Sequence, residues 1–264
     1  MGEVAPDIDA VAARIIDAFR WIEDVTSSRL VDSPLGTALF HDDFRERYDS
    51  NFLRVEGAEG TTDAMEVAAE CDRLFEGFAH REVIVEDPRR GAAMAPVFGE
   101  RGWRVDRLVT MARRTMPGPD AVADAGADEL DLDEIVAFSE EVHRQASPND
   151  PASVVETLAT FRAVLRDRAG ARFFGARIDG ELASACELYL HDGAAQIEDV
   201  NTLEAFRGRG LARQVVTAAA ARAHAAGADL VWLIADDNDW PKELYAKLGF
   251  GRVDTFWQFT LVDG

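Results

Sequence analysis

Residues 196–212, Gln-Ile-Glu-Asp-Val-Asn-Thr-Leu-Glu-Ala-Phe-Arg-Gly-Arg-Gly-Leu-Ala, constrain this chain more than any other stretch. They open as a strand and turn through a basic, glycine-rich loop at 207–210. They then enter an alanine-rich helical pattern that runs to about residue 226. Glycine at 208 and 210 lets the backbone take positive φ and approach a ligand closely. The helix that follows points its unpaired N–H groups and the positive end of its dipole back at the loop. With Arg207 and Arg209 beside them, these groups are what a diphosphate needs. The loop is not a P-loop, because no Gly-Lys-Ser or Gly-Lys-Thr follows. It is not a dinucleotide fingerprint either, because the G-x-G-x-x-G spacing fails.

The order continues as strand, then Asn238, Leu244-Tyr245 and Leu248-Gly249-Phe250. Arg-x-x-Gly-x-Ala at 207–212, followed by these residues, resembles the acyl-CoA loop and downstream pattern of the GNAT acetyltransferases. The resemblance covers about 131–261. It implies an N-acetyltransferase (an acyltransferase of EC class 2.3.1.-) that moves an acetyl group from acetyl-CoA to an amine, by direct attack within a ternary complex. It also implies residue roles. Gly208, Gly210, Leu211 and Ala212 would offer amides to the pyrophosphate, with Arg207 and Arg209 supplying charge. The main chain of Val200, Asn201 and Thr202 would pair with the pantetheine arm like an added strand. An amide near Val200 would face the thioester oxygen as charge develops. Asn238 matches a cofactor-contacting position, and it could equally cap the next helix.

Tyr245 stands at the family's general-acid position, where a phenol can protonate the departing thiolate. Its plain alternative is a core aromatic. Glu198 is the candidate base, and its plain alternative is a solvated strand carboxylate. Asp199 should point to the opposite face if the strand is regular. Some relatives place the base where Gln196 stands, and an amide cannot serve. A water relay or His143 remains open. The acceptor amine belongs to a small molecule or a peptide. Two other classes stay in play: a CoA-binding regulator without transferase activity, and a non-catalytic acidic interaction module.

A formal charge of -21 argues against nucleic acid and against anionic membrane surfaces. No apolar run approaches the roughly 20 residues of a membrane span. The acidic start of the chain lacks a signal-peptide pattern, so a cytoplasmic location is expected. Cys71 and Cys186 lie far apart in apolar patterns and read as core residues. The five histidines show no metal-ligand spacing, so no metal is expected.

The expected fold is α/β (α+β): a central mixed, mostly antiparallel sheet flanked by helices, in two GNAT-like units in tandem. Helix, strand, helix, Gly-aromatic, strand occurs twice. Phe98-Gly99-Glu100-Arg101-Gly102-Trp103 precedes one closing strand, and Tyr245-Ala246-Lys247-Leu248-Gly249-Phe250 precedes the other. The boundaries read as 1–114 for a degenerate N-terminal unit, 115–128 for a linker and 129–264 for a catalytic unit. Where the first repeat should have its loop, residues 56–63 keep glycines but replace arginine with carboxylates, so CoA should not bind there. Asp179-Gly180 and Asp192-Gly193, between alternating apolar runs, predict hairpins.

Overall fold

A computed structural model of the protein describes residues 8–57, 60, 63–113 and 126–262. The expected linker lies outside the described residues as far as 125. So do Ala58, Glu59, Thr61 and Thr62 of the first repeat's loop. In chain order the elements are α1 (Ile8–Thr26), β1 (Arg29–Ser33), β2 (Gly36–Phe40), β3 (Phe52–Val55), α2 (Ala64–Leu74), β4 (His80–Val85), α3 (Pro88–Glu100) and β5 (Arg104–Arg113). There follow β6 (Asp128–Leu130), α4 (Leu132–Ala146), α5 (Ala152–Ala169), β7 (Arg172–Ile178), β8 (Glu181–His191) and β9 (Ala194–Thr202). The chain closes with α6 (Leu211–Ala225), β10 (Leu230–Asp236), α7 (Pro241–Lys247) and β11 (Gly251–Val262).

The chain forms two compact units, neither a single stretch of sequence. The larger comprises Met1–Thr26, Met111–Leu233 and Glu243–Val253; the smaller comprises Ser27–Thr110, Ile234–Lys242 and Asp254–Gly264. The opening helix therefore belongs with the second repeat, and the end of the last strand with the first.

In the larger unit the strands run in the order β10-β9-β8-β7-β6. Both hairpins predicted from Asp-Gly are present. Asp179 and Gly180 have φ of 53° and 87°, and Asp192 and Gly193 have 43° and 74°. Two successive positive φ values make the type I′ turn whose twist matches that of its strands. Helix α6 lays Val215, Val216 and Ala219 against the sheet, each at most 1% exposed. On α1, Val11, Ile15, Ala18 and Ile22 form the buried stripe that the sequence spacing predicts. Arg14 of α1 pairs with Asp229 at 2.6 Å.

The smaller unit repeats the topology. Strands β1, β2 and β3 are antiparallel neighbours, α2 follows, and β4 returns parallel to β3. In the second repeat β7, β8 and β9 are antiparallel, α6 follows, and β10 lies parallel to β9. The Gly-aromatic turns also match bond for bond. Trp103 N–H donates to Phe98 O at 3.1 Å, and Phe250 N–H donates to Tyr245 O at 3.0 Å. The duplication is thus visible in topology as well as in pattern. Residues 257–262 of β11 pair antiparallel with β4 in this unit, where Phe259 joins a core of Val67, Phe75, Val83, Met94 and Phe98.

Several local expectations need correction. The helical spacing of Ile8, Val11, Ala12, Ile15, Phe19 and Ile22 predicts an opening helix broken by Ser33-Pro34 and Gly36. It stops at Thr26, and 29–33 form strand β1. This strand is largely exposed, so it carries no apolar alternation to announce it. Helix α2 is capped by Asp63, whose carboxylate accepts from Met65 N–H; Thr61 and Thr62, the caps the sequence suggests, lie outside the described residues. The turn before α5 supplies no side-chain cap. Trp240, which reads in the sequence as packing, is 64% exposed.

Candidate active site

Strand β9 begins as an ordinary interior strand. It pairs with β10 at Ala194, Ala195 and Gln196, and among the described residues that pairing goes no further. From Ile197 onward its partner is β8 alone. Against β8 the register changes: Glu187 faces Glu198, but Ala185 faces Asn201. Two steps on β8 thus span three on β9, so β9 carries a bulge at 199–200. Asp199 sits there with φ 50°, in the left-handed region. The strand is therefore not regular, and Asp199 does not stand apart on the far face as a regular strand would require. It ion-pairs with Arg162 of α5, which also pairs with Glu187, the cross-strand partner of Glu198.

Glu198 is partly buried on β9, and its carboxylate accepts from the Gln196 side-chain amide. Gln196 thus orients the carboxylate instead of replacing it. Burial, followed by the charge of Asp199, pushes the Glu198 carboxyl up to about 8. Tyr245 on α7 is buried, with its ring edge-on to Phe250 at 6.3 Å. Its phenol is raised first by burial and then by the charges of Glu198 and Cys186. Those interactions place Tyr245 in the neighbourhood of Glu198, and they keep its proton on at neutral pH. His143 shares a 2.8 Å hydrogen bond with Asp150.

Beyond the bulge, Val200, Asn201 and Thr202 lead through a short 3-10 turn at Glu204–Phe206 into the loop. Gly208 and Gly210 have φ of 76° and 80°, and a Cβ built on either would meet nothing within 4 Å. The space over the loop is open. Gly210 is the N-cap of α6 and offers no side chain to its first turn. The N–H groups of Leu211, Ala212 and Arg213 come before the first intrahelical bond, Gln214 N–H to Gly210 O at 3.3 Å. Arg207 and Arg209 are exposed; each makes one long contact to a loop carbonyl, at 3.3 and 3.4 Å. The loop therefore combines free amides, two arginines and a helix dipole, with no carboxylate in the helix's first turn. These residues fit the diphosphate of a CoA thioester.

Asn238 lies between β10 and α7, within the smaller unit, and its N–H donates to Asp236 at 2.7 Å.

The first repeat has none of this chemistry among its described residues. The guanidinium of Arg90 on α3 donates to the carbonyls of Glu56 and Gly57, at 2.9 and 2.7 Å. These carbonyls thus turn toward a cation, whereas an anion site turns amides outward. The Asp63 carboxylate already occupies the N-terminus of α2. Phe98, which matches Tyr245 in the repeat, has no hydroxyl.

Sequence reading missed Arg162, Glu187 and Tyr189. Glu187 is 2% exposed and accepts from the buried Tyr189 hydroxyl. A signal was available: Glu187 is the one charge inside the apolar run 182–190, and Arg162 lies between the apolar positions of α5. Among the described residues no group of three or more His, Cys, Asp or Glu is placed to hold a metal ion. Cys71 and Cys186 are buried, with thiols raised well above their ordinary range by burial. No described helix is long and apolar enough to cross a membrane.

Residues 135–250 match the acetyltransferase (GNAT) family. A GCN5-related N-acetyltransferase from Kribbella flavida is 22% identical with a TM-score of 0.57, over 96% of each chain. A conserved protein of unknown function from Staphylococcus epidermidis is 12% identical with a TM-score of 0.67, over 89% of this chain and 94% of that one. A tandem GNAT protein from the clavulanic acid biosynthesis pathway is 15% identical with a TM-score of 0.53, over 99% of this chain and 97% of that one. At such identities these likenesses speak for the fold. No curated protein matches the chain.

Proposed function

We propose that the protein transfers an acetyl group from acetyl-CoA to an amine of a small molecule or peptide, a reading that the match of residues 135–250 to the acetyltransferase (GNAT) family supports. One observation carries the reading. Strand β9 loses its β10 partner after Gln196, bulges at Asp199, and leads straight into the open, uncapped turn at Gly208–Gly210. A free strand edge suits the amides of a pantetheine arm, and the turn suits its diphosphate.

In this reading Gly208, Gly210, Leu211 and Ala212 bind the diphosphate through backbone N–H groups, and Arg207 and Arg209 neutralise it. The backbone of Val200, Asn201 and Thr202 holds the arm, and the Val200 amide receives the thioester oxygen as it gains charge. Glu198 takes the proton that the acceptor ammonium must lose. The amine nitrogen then forms the new C–N bond, the C–S bond breaks, and Tyr245 gives its proton to the leaving thiolate. The acylated nitrogen releases its second proton to solvent, from which Tyr245 is reprotonated, and Glu198 returns its own proton to solvent. Asn238 is retained as a candidate cofactor contact. The smaller unit binds no acetyl-CoA, since Arg90 and Asp63 occupy the places a diphosphate would take.

Calorimetry with acetyl-CoA tests this on the intact protein and on a variant with Arg207, Gly208 and Gly210 replaced. Binding at one-to-one, lost in the variant, with thiol released in the presence of amines, is the expected outcome. Two-to-one binding would mean that the first repeat is competent. Binding without thiol release from any amine would favour a CoA-sensing regulator, and no binding would move the search to protein partners.

A further inference from the structure

We propose that Arg162 is a positioning residue, a clamp from α5 that holds the β9 bulge and so sets the geometry of the acyl-transfer site. The inference rests on the acetyltransferase reading of that site, and it concerns a residue that the reading does not otherwise use.

Arg162 is 8% exposed, and its guanidinium bridges two strands. Nε meets Oε1 of Glu187 on β8 at 3.0 Å, and Nη2 meets Oδ2 of Asp199 on β9. The remaining oxygens are also engaged. Tyr189 donates its hydroxyl to Oε2 of Glu187, and Asn201 donates to Oδ1 of Asp199 at 2.6 Å. Asp199 is thus bonded at both oxygens, while Glu187 is hydrogen-bonded at Oε2 and meets the guanidinium at Oε1 as an ion pair, and one planar group joins the two carboxylates. A planar guanidinium can meet two carboxylates along one edge, which the point charge of a lysine cannot copy.

The clamp closes over the place where β9 departs from regularity. Asp199 holds a positive φ that a side chain adopts only when its surroundings impose it. Glycine would adopt it freely, but glycine could not be gripped by Arg162 and Asn201. An aspartate there costs backbone energy and gains two anchoring bonds. The bulge has a consequence for function. Residues 199 and 200 together face the single position of Cys186, so the ladder to β8 skips there. The Val200 amide is then available to a ligand instead of to the sheet.

The clamp also governs charge. Glu198 faces Glu187 directly across the strands and lies next to Asp199, so three carboxylates share one small region with one guanidinium. The other titratable groups acting on this region are Tyr189, Tyr245 and Cys186. Removing Arg162 strips Asp199 and Glu187 of their counter-charge and makes Glu198 harder to ionise. Replacing Asp199 with asparagine removes one repelling charge and makes Glu198 easier to ionise.

The test compares wild type with R162M, R162K and D199N. D199N is isosteric at a partly exposed site and serves if R162M does not fold. The first readout needs no turnover: a carbon-13 carboxyl titration of Glu198 by NMR. The expected midpoints fall in the order R162M, then wild type, then D199N from highest to lowest, with steps of about one pH unit. The second readout is kinetic. In R162M, kcat should fall by about 10²-fold, while the acetyl-CoA dissociation constant changes by less than about threefold. R162K should fall between, since it keeps the charge and loses the fork. Midpoints unchanged in both R162M and D199N would overturn the proposal. So would a loss in R162M that appears wholly in acetyl-CoA binding. If wild type releases no thiol with any amine, the acetyltransferase reading fails by itself, and the NMR order still decides whether Arg162 controls Glu198.

Discussion

The substitution Glu198→Gln separates a base from a bystander. Its expected effect follows from where the carboxyl titrates. Burial and the neighbouring Asp199 charge push it up to about 8, so it holds its proton at neutral pH and accepts one only in alkaline solution. A group with that midpoint is about one-tenth ionised at pH 7 and about nine-tenths ionised at pH 9, so wild-type kcat should rise close to tenfold over that range. Glutamine keeps the size of the side chain and removes the base. The loss should be about 10²- to 10⁴-fold above pH 8, and the midpoint near 8 should vanish. The assay is continuous detection of the CoA thiol at saturating acetyl-CoA and amine, from pH 6 to pH 10. The same shift has a sign for stability. A carboxyl whose folded midpoint is raised supports the fold fully below its ordinary value of 4.5, and that support is lost as pH rises toward about 8. Relative to wild type, E198Q should therefore gain stability across that window in urea titrations. A variant with wild-type kcat and the same rising limb would refute the role of Glu198. A stability difference that does not move with pH would refute the buried environment as well.

Tyr245→Phe keeps the ring against Phe250, so stability should hardly change. Steady-state kcat should drop about 10²-fold with acetyl-CoA binding intact, and an unchanged kcat would leave Tyr245 as a core aromatic only. Phe259→Ala empties a site that is 0% exposed and stacked on Phe98 at 4.4 Å. Urea unfolding should show a loss of about 3–5 kcal/mol. A loss below about 1 kcal/mol would contradict the place of the last strand in that core.

The parts of this molecule that could be read in advance are those that local chemistry dictates. Asp-Gly at 179–180 and 192–193 dictates type I′ turns because only such residues tolerate two positive φ values in a row. Gly208 and Gly210 before an alanine-rich run dictate an open loop at a helix start. The repeated Gly-aromatic turn was legible because the same backbone bonds recur around Gly102 and Gly249. What escaped was set at long range. Nothing in Glu-Asp-Val-Asn announces a bulge at Asp199, because the residue that grips it lies 37 positions earlier on another element. Strand β1 escaped because it is largely exposed and lacks the apolar alternation that marks a strand. The assignment of α1 to the larger unit and of 254–264 to the smaller is likewise a matter of packing. Local pattern says where an element lies but not which core receives it.

The split membership of the last strand bears on how the chain is made. Strand β4 leaves the ribosome well before the segment that pairs with it antiparallel, 257–262. At about 5–20 residues per second, the roughly 170 residues between β4 and that segment take roughly 9–34 s to appear. Through that interval the nascent first repeat carries an unpaired strand edge and lacks Phe259 from its core. An open edge of that kind is a template for unwanted pairing. The first repeat is thus begun before the second and completed after it, and its safe birth depends on whatever shields β4 until 257–262 arrive.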